Sequence, residues 1–272
     1  MSEDDSPIQE DFKLLVKQLK NSSDWNERFS AANKLFRSAG DKAVDPLIYA
    51  LQNDPQKEVQ RYAADLLGRL ADPRASWALI AALRRGLKEE DFTMIYHTSE
   101  ALIKIDGNDA IAILSQTIED EQEFLEMKLK ALEILSKIGD AKVVEKMIDW
   151  VHDPEFDNSL RKRVIEELAY MGHLASIQFL LDLLEERRDK NLQKVIVRAL
   201  GKTPFKNKAI VLKIGDILLQ KLEQEQSQPK RDVAFLNLLA ESINTLGENI
   251  GYNYREFMQE IIDIRKKQHP AK

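Results

Sequence analysis

The stretch Arg61-Tyr-Ala-Ala-Asp-Leu-Leu-Gly-Arg-Leu-Ala-Asp72, followed shortly by Ala75-Ser-Trp-Ala-Leu-Ile-Ala-Ala-Leu83, decides the fold. In each half the apolar residues recur at spacings of three and four, so they line one face of an α-helix. Small residues run along both helices, and Asp72-Pro73 separates them. Two short amphipathic helices cannot bury both apolar faces alone, so the pattern calls for neighbours of the same kind. They are present. Arg28 to Asp41 leads into Ala43 to Leu51, and Leu129 to Asp140 leads into Val143 to Val151. Weaker copies close at Ile118, Leu184 and Leu219. The closing apolar residues Leu51, Leu83, Ile118, Val151, Leu184 and Leu219 are spaced by about 32, 35, 33, 33 and 35 residues, the period of a stacked helical repeat.

Composition agrees with this reading. The chain has 272 residues, 43% of them hydrophobic and 7% aromatic, with Gly at 10 and Pro at 8. That balance lacks the turn formers and β-branched runs of a mostly β protein, so the fold class is all-α. Cys is absent, which excludes disulfides, thiolate nucleophiles and Cys-ligated metal sites. The start, Met1-Ser-Glu-Asp-Asp5, is acidic where a signal peptide is basic, and no apolar run reaches the length of a membrane span. A cytoplasmic location is the expectation.

The punctuation predicts the helix boundaries. Asp45-Pro46, Asp54-Pro55, Asp72-Pro73 and Asp153-Pro154 are read as helix starts, because Asp accepts a free amide hydrogen and Pro loses no helical bond in the first turn. Gly40, Gly107, Gly139, Gly172 and Gly247 are read as left-handed helix ends. Ile8, Phe12, Leu15, Val16 and Leu19 form one face of an N-terminal cap, while Leu236, Leu239, Ile243, Leu246, Phe257, Ile261 and Ile264 form a degenerate last pair. Residues 1–7 are expected to be a disordered acidic leader and 8–272 a single stack: 8–23 a capping helix, 24–228 repeats, and 229–268 a C-terminal cap repeat. The Lys202–Lys208 turn and the polar connector Glu223–Pro229 interrupt it without dividing it. The repeats nearest the common pattern, such as residues 54–84, are expected to be the most stable and the last pair the first to open.

The strings from Arg61 to Leu83 and from Leu129 to Val151 resemble HEAT-like repeats of the short type named after phycobilisome lyases, over roughly residues 24 to 222. The resemblance implies an α-solenoid, a right-handed superhelix of about six to seven HEAT-like helix pairs. Proteins of this kind include heterodimeric phycocyanobilin lyases, phycobilisome-associated proteins and many prokaryotic proteins whose role is protein–protein interaction. A related HEAT-repeat hydroxylase that acts on deoxyhypusine binds iron through His-Glu pairs. Here His97 precedes Thr, His152 precedes Asp, His173 precedes Leu and His269 precedes Pro, so that activity is not expected.

Reactive constellations are hard to find. The four histidines form no i, i+4 pair and no His-Glu-x-x-His string. Glu89-Glu-Asp91 and Glu119-Asp-Glu121 fall at inter-repeat turns, where acids cap helix N-termini. Gly201-Lys-Thr203 lacks the upstream glycine and strand of a phosphate loop. No catalytic residue, cofactor or metal is expected.

Charge and aromatic rings remain. Residues 1–150 hold 20 basic and 28 acidic side chains, and residues 151–272 hold 20 and 18, so the chain is electrically polarised within its net charge of −6. Arg84-Arg85 with Lys88, Arg161-Lys-Arg163, Arg187-Arg188 with Lys190, Lys202 to Lys213, Lys230-Arg231 and Arg265-Lys-Lys267 are basic clusters. They complement the C-terminal ends of helices or, stacked one repeat apart, form a ridge for an acidic partner. Trp77, Trp150, Tyr96 and Tyr49 either pack between layers or anchor a partner. The expected role is that of a non-enzymatic scaffold or adaptor holding another protein on a concave surface formed by the second helices. The partner-binding residues are Trp77, Arg84, Arg85, Lys88, Trp150, Arg187 and Arg188. A second HEAT-repeat subunit is one candidate partner. The alternatives are a phycobilin lyase subunit or phycobiliprotein-handling factor, and a nucleic-acid-binding protein, which the net negative charge disfavours.

Overall fold

The computed structural model describes residues 7–105, 107–186 and 189–268, with the side chains of Pro7, Ile8, Gln9 and Gln268 left aside. The acidic leader before Pro7 therefore lies outside the described residues, as do Arg187, Arg188 and His269. Among the described residues there is no strand. The helices are α1 (Pro7–Asn21), α2 (Trp25–Ala39), α3 (Val44–Asn53), α4 (Lys57–Leu70), α5 (Ser76–Lys88), α6 (Phe92–Lys104), α7 (Asn108–Glu119) and α8 (Leu125–Ile138). After them come α9 (Ala141–His152), α10 (Asn158–Met171), α11 (Leu174–Glu186), α12 (Lys190–Lys202), α13 (Lys208–Gln226), α14 (Val233–Asn249) and α15 (Tyr254–Gln268). The helices group into two compact units, Met1–Ile138 and Gly139–Lys272.

In the first unit α2, α4, α6 and α8 pack side by side as one layer, and α1, α3, α5 and α7 as the other. In the second unit α10, α12 and α14 form one layer and α9, α11, α13 and α15 the other. Each unit is thus an all-α solenoid stack of antiparallel pairs. The six closing residues of the sequence period, Leu51, Leu83, Ile118, Val151, Leu184 and Leu219, are all buried, none more than 3% exposed. Each buried side chain of this size contributes about 1.5–3 kcal/mol relative to leaving it in water.

Small residues set the spacing within a layer. A Cβ on Gly68 of α4 would lie 2.6 Å from the Ala101 Cα of α6, so only glycine permits this approach. Gly201 of α12 faces Ser242 of α14 in the same way, 2.5 Å from its Cβ. The alanines at 31, 32, 63, 64 and 131 are all fully buried.

The boundary signals need correction in part. Gly40, Gly139 and Gly172 have positive φ as expected, but Gly107 is extended at φ 176° and Gly247 lies inside α14 against Phe257. The left-handed residue after α14 is Gly251, at φ 84°. Asp72 caps a short 3-10 turn by accepting from the Arg74 N–H. Asp54 and Asp153, by contrast, follow the ends of α3 and α9 and accept from Gln56 and Glu155 N–H. A proline after a helix end serves there because it cannot continue the helix. Asp45-Pro46 lies inside the first turn of α3. Among the described residues the side chains that cap α-helices include Asp24, Asp91, Asp140, Asp157, Asp189, Asn207, Asp232 and Asn253. Most of the polar connector after residue 223 is helical, because α13 runs to Gln226 and buries Glu225.

Charged clamps tie each layer together. Arg28 of α2 makes a bidentate pair with Asp54, Nε to Oδ2 at 2.7 Å and Nη2 to Oδ1 at 2.9 Å, and both residues are buried. Arg61 of α4 holds Asp91, the cap of α6, at 3.0 Å, and Lys194 of α12 holds Asp232, the cap of α14, at 2.7 Å. Burial alone would raise the Asp91 carboxyl pKa. The Met94 N–H and the Arg61 guanidinium outweigh it and hold the group below the ordinary carboxylate value.

Arg28→Met leaves the Asp54 carboxylate buried without its cation and is expected to cost about 3–5 kcal/mol in thermal or urea unfolding; adding Asp54→Asn, which keeps the turn acceptor, should recover a substantial part. Because the Asp91 pKa is lowered on folding, its contribution is present above about pH 4, the unfolded carboxylate value, and is lost as pH falls through the folded value. Melting temperatures measured from pH 7 to pH 2.5 should therefore fall below about pH 4, and less steeply in Asp91→Asn.

Candidate protein-binding surface

In α5 the residues 76, 78, 79, 80, 82, 83 and 86 are buried, which turns Trp77, Ala81, Arg84 and Lys88 outward at helical spacing. The start of α5 is fixed from outside the helix. Asp72 caps the preceding turn, and Arg74 holds Asp72 at 2.7 Å and donates to the Asp41 carbonyl at 2.9 Å. Trp77 emerges from the first turn of α5 with 63% of its surface exposed. Beside it a hollow of about 360 Å³ runs between α5 and α7, lined by Trp77, Arg84, Ile113, Gln116, Thr117, Glu119 and Asp120. The structure thus brings Trp77 and Arg84 to one site.

The other expected residues separate. Arg84 is neutralised by Glu123 at 2.6 Å, a carboxylate that is itself buried. Arg85 points the other way. Its Nη2 donates to the Leu51 carbonyl at 3.2 Å and to Gln60 Oε1 at 2.9 Å, so it joins the end of α3 to α4. Lys88 is exposed, with Nζ 5.5 Å from the centre of the Phe124 ring. Trp150 is only 3% exposed and stacks on Phe156 at 5.6 Å and 7°, so burial removes it from the exposed pair it was expected to form with Trp77. Arg187 and Arg188 lie outside the described residues.

Part of each of several basic clusters is engaged within the fold. Arg163 meets Glu167 at 2.6 Å, Lys208 meets Glu260 at 3.2 Å, and Arg265 holds Asp216. Arg161 donates to the Phe156 carbonyl at 2.7 Å. Exposed aromatic residues that the sequence did not single out include Phe92 and Tyr170, 77% and 63% exposed, while Tyr96 and Tyr49 stand out as considered. Their only signal in the sequence is a phase opposite to the buried stripe of their own helix.

Chemistry is sparse. His97 Nδ1 lies 3.9 Å from Asp65 Oδ1, and His152 sits edge-on to Phe179 at 5.2 Å. Among the described residues no three His, Asp or Glu side chains gather as metal ligands, and no helix is long and apolar enough to cross a membrane.

A model for HEAT repeats matches residues 12–85 and 44–126. Comparison with curated proteins finds no match. Among solved structures the chain is similar to the complex of CpcE and CpcF of phycocyanin lyase from Nostoc sp. PCC7120, at 21% identity and a TM-score of 0.39. That likeness covers 84% of this chain and 93% of the other. It is also similar to human deoxyhypusine hydroxylase in complex with glycerol, at 15% identity and a TM-score of 0.35, covering 91% and 97% of the two chains. The family match falls on α1 to α7, where stacked helix pairs carry the buried period, so residues 12–126 of the chain are built of HEAT repeats.

Proposed function

We propose that the chain is a non-enzymatic scaffold that holds a partner protein against the outward face of α5 and α7, with Trp77 as the anchor. The observation that carries this reading is the exposure of Trp77 at the edge of a hollow whose floor includes Ile113. A large ring left in water contributes little to folding, whereas tryptophan is among the residues that dominate binding when a partner covers them. Arg84 is already paired, and Glu119 and Asp120 share the wall of the hollow. The surface that fits is therefore an apolar projection with basic groups at its rim, and an acidic partner surface fits this hollow less well. The sparse chemistry of the site gives a catalytic role no support.

The test uses the purified chain and its Trp77→Ala and Arg85→Ala variants as bait in a lysate of the source organism, with mass spectrometry and visible absorption of the eluate. Trp77→Ala should weaken capture of the partner by about 2 kcal/mol or roughly thirtyfold, with unfolding stability within about 0.5 kcal/mol of the parent. Arg85→Ala should instead lower stability by about 1–2 kcal/mol, because it strips the Gln60 and Leu51 oxygens of a charged donor. Full capture by Trp77→Ala would remove the anchor from this face, and a large loss of its stability would return the ring to the core. A coloured eluate would favour the phycobilin-handling alternative, and capture that collapses steeply with salt would favour nucleic acid.

A further inference from the structure

Several lysines of the second unit make no ion pair, but among the described residues only Lys221 combines that with being half-buried. Lys221 of α13 lines a hollow of about 330 Å³ with Leu184 and Glu185 of α11 and with Ile217, Gln220 and Gln224 of its own helix. Neighbouring amines are engaged: Glu225 clamps Lys190, and Asp232 holds Lys194 at 2.7 Å. Lys221 is half-buried and makes no hydrogen bond or ion pair among the described residues. Burial disfavours its ammonium form and the charge of Lys190 adds to this, while Glu225 and Glu185 offset only part. The Lys221 pKa accordingly lies below the ordinary lysine value.

We propose that Lys221 is a modification site, an amine that takes a small acyl group from an activated acyl donor entering this hollow. A lysine without a carboxylate partner exposes its nitrogen lone pair once it loses a proton to water, and lysines desolvated beside another cation are activated as nucleophiles in this way. The nitrogen attacks the acyl carbon and a C–N bond forms. The bond to the leaving group breaks with its electron pair, and the second N–H proton passes to that group or to water. The product is an uncharged amide. Leu184 and Ile217 offer apolar surface to the acyl carbons, Gln220 and Gln224 offer amide N–H groups to its oxygen, and the like charge facing Lys190 disappears.

The test is competitive acetylation of the full chain with trace acetic anhydride at pH 8, with every lysine quantified by peptide mass spectrometry in native and urea-unfolded protein. Lys221 should react several-fold faster than Lys57, which is more exposed but paired with Glu89, and the preference should vanish on unfolding. Equal or slower reaction of Lys221 in the native chain would overturn the proposal. Lys221→Gln gives a second readout. A lysine whose folded pKa is lowered opposes folding while it is protonated and stops doing so as pH rises through that value. The variant should therefore melt at or above the parental temperature at pH 7, and a clear fall would show that the ammonium is stabilising and overturn the assignment.

Discussion

A helix pair of this size has two apolar faces and only one internal partner, so it must press against the next pair, and everything else in each unit follows from that contact. Where α4 meets α6 the chains approach until the Gly68 position has no room for a Cβ, and α12 meets α14 at Gly201 with the same tightness. Such proximity lets the closing residues Leu51, Leu83, Leu184 and Leu219 leave water almost completely. It also brings the first helix of one pair within reach of the turn that opens the next. Arg28, Arg61 and Lys194 use that reach to hold Asp54, Asp91 and Asp232.

This geometry explains why much of the positive charge is poorly placed for outside partners. A cation at an inter-repeat turn finds a helix-capping carboxylate or a free carbonyl of the neighbouring repeat before it finds a ligand, and a partly buried pair of this kind is costly to break. Arg85 is the clearest case, since two oxygens of the preceding repeat take its donors. What the stack cannot absorb is a large ring on the outward phase of a helix. Trp77 is such a ring, and it shares one hollow with Ile113 and the neutralised Arg84, the arrangement on which the proposed docking at the α5–α7 face rests.

The repeat was legible because its signals are local and periodic. Apolar spacing of three and four, Ala-Ala pairs, and closing residues about one repeat apart placed the helix pairs without any knowledge of their packing. Asp-Pro pairs were misread in part, since the same dipeptide suits both the start of a helix and the turn after one; Asp54 and Asp153 took the second use. The site was harder to read. Trp77 and Trp150 both stand on second helices, and nothing in the chain announces that Phe156 of the following turn folds over Trp150. Likewise the engagement of Arg84 by Glu123 joins residues far apart in sequence, beyond the range of any periodic pattern. Lys221 carried no signal at all, because an absent partner can be seen only in three dimensions.

If stacking on both sides is what holds each pair, protection should follow position within a unit rather than helix length or composition. Native-state hydrogen exchange measured helix by helix tests this directly. The account predicts that α4 and α5 exchange much more slowly than α1 in the first unit, and that α12 and α13 exchange much more slowly than α15 in the second. Protection of α1 or α15 equal to that of the interior helices would contradict it.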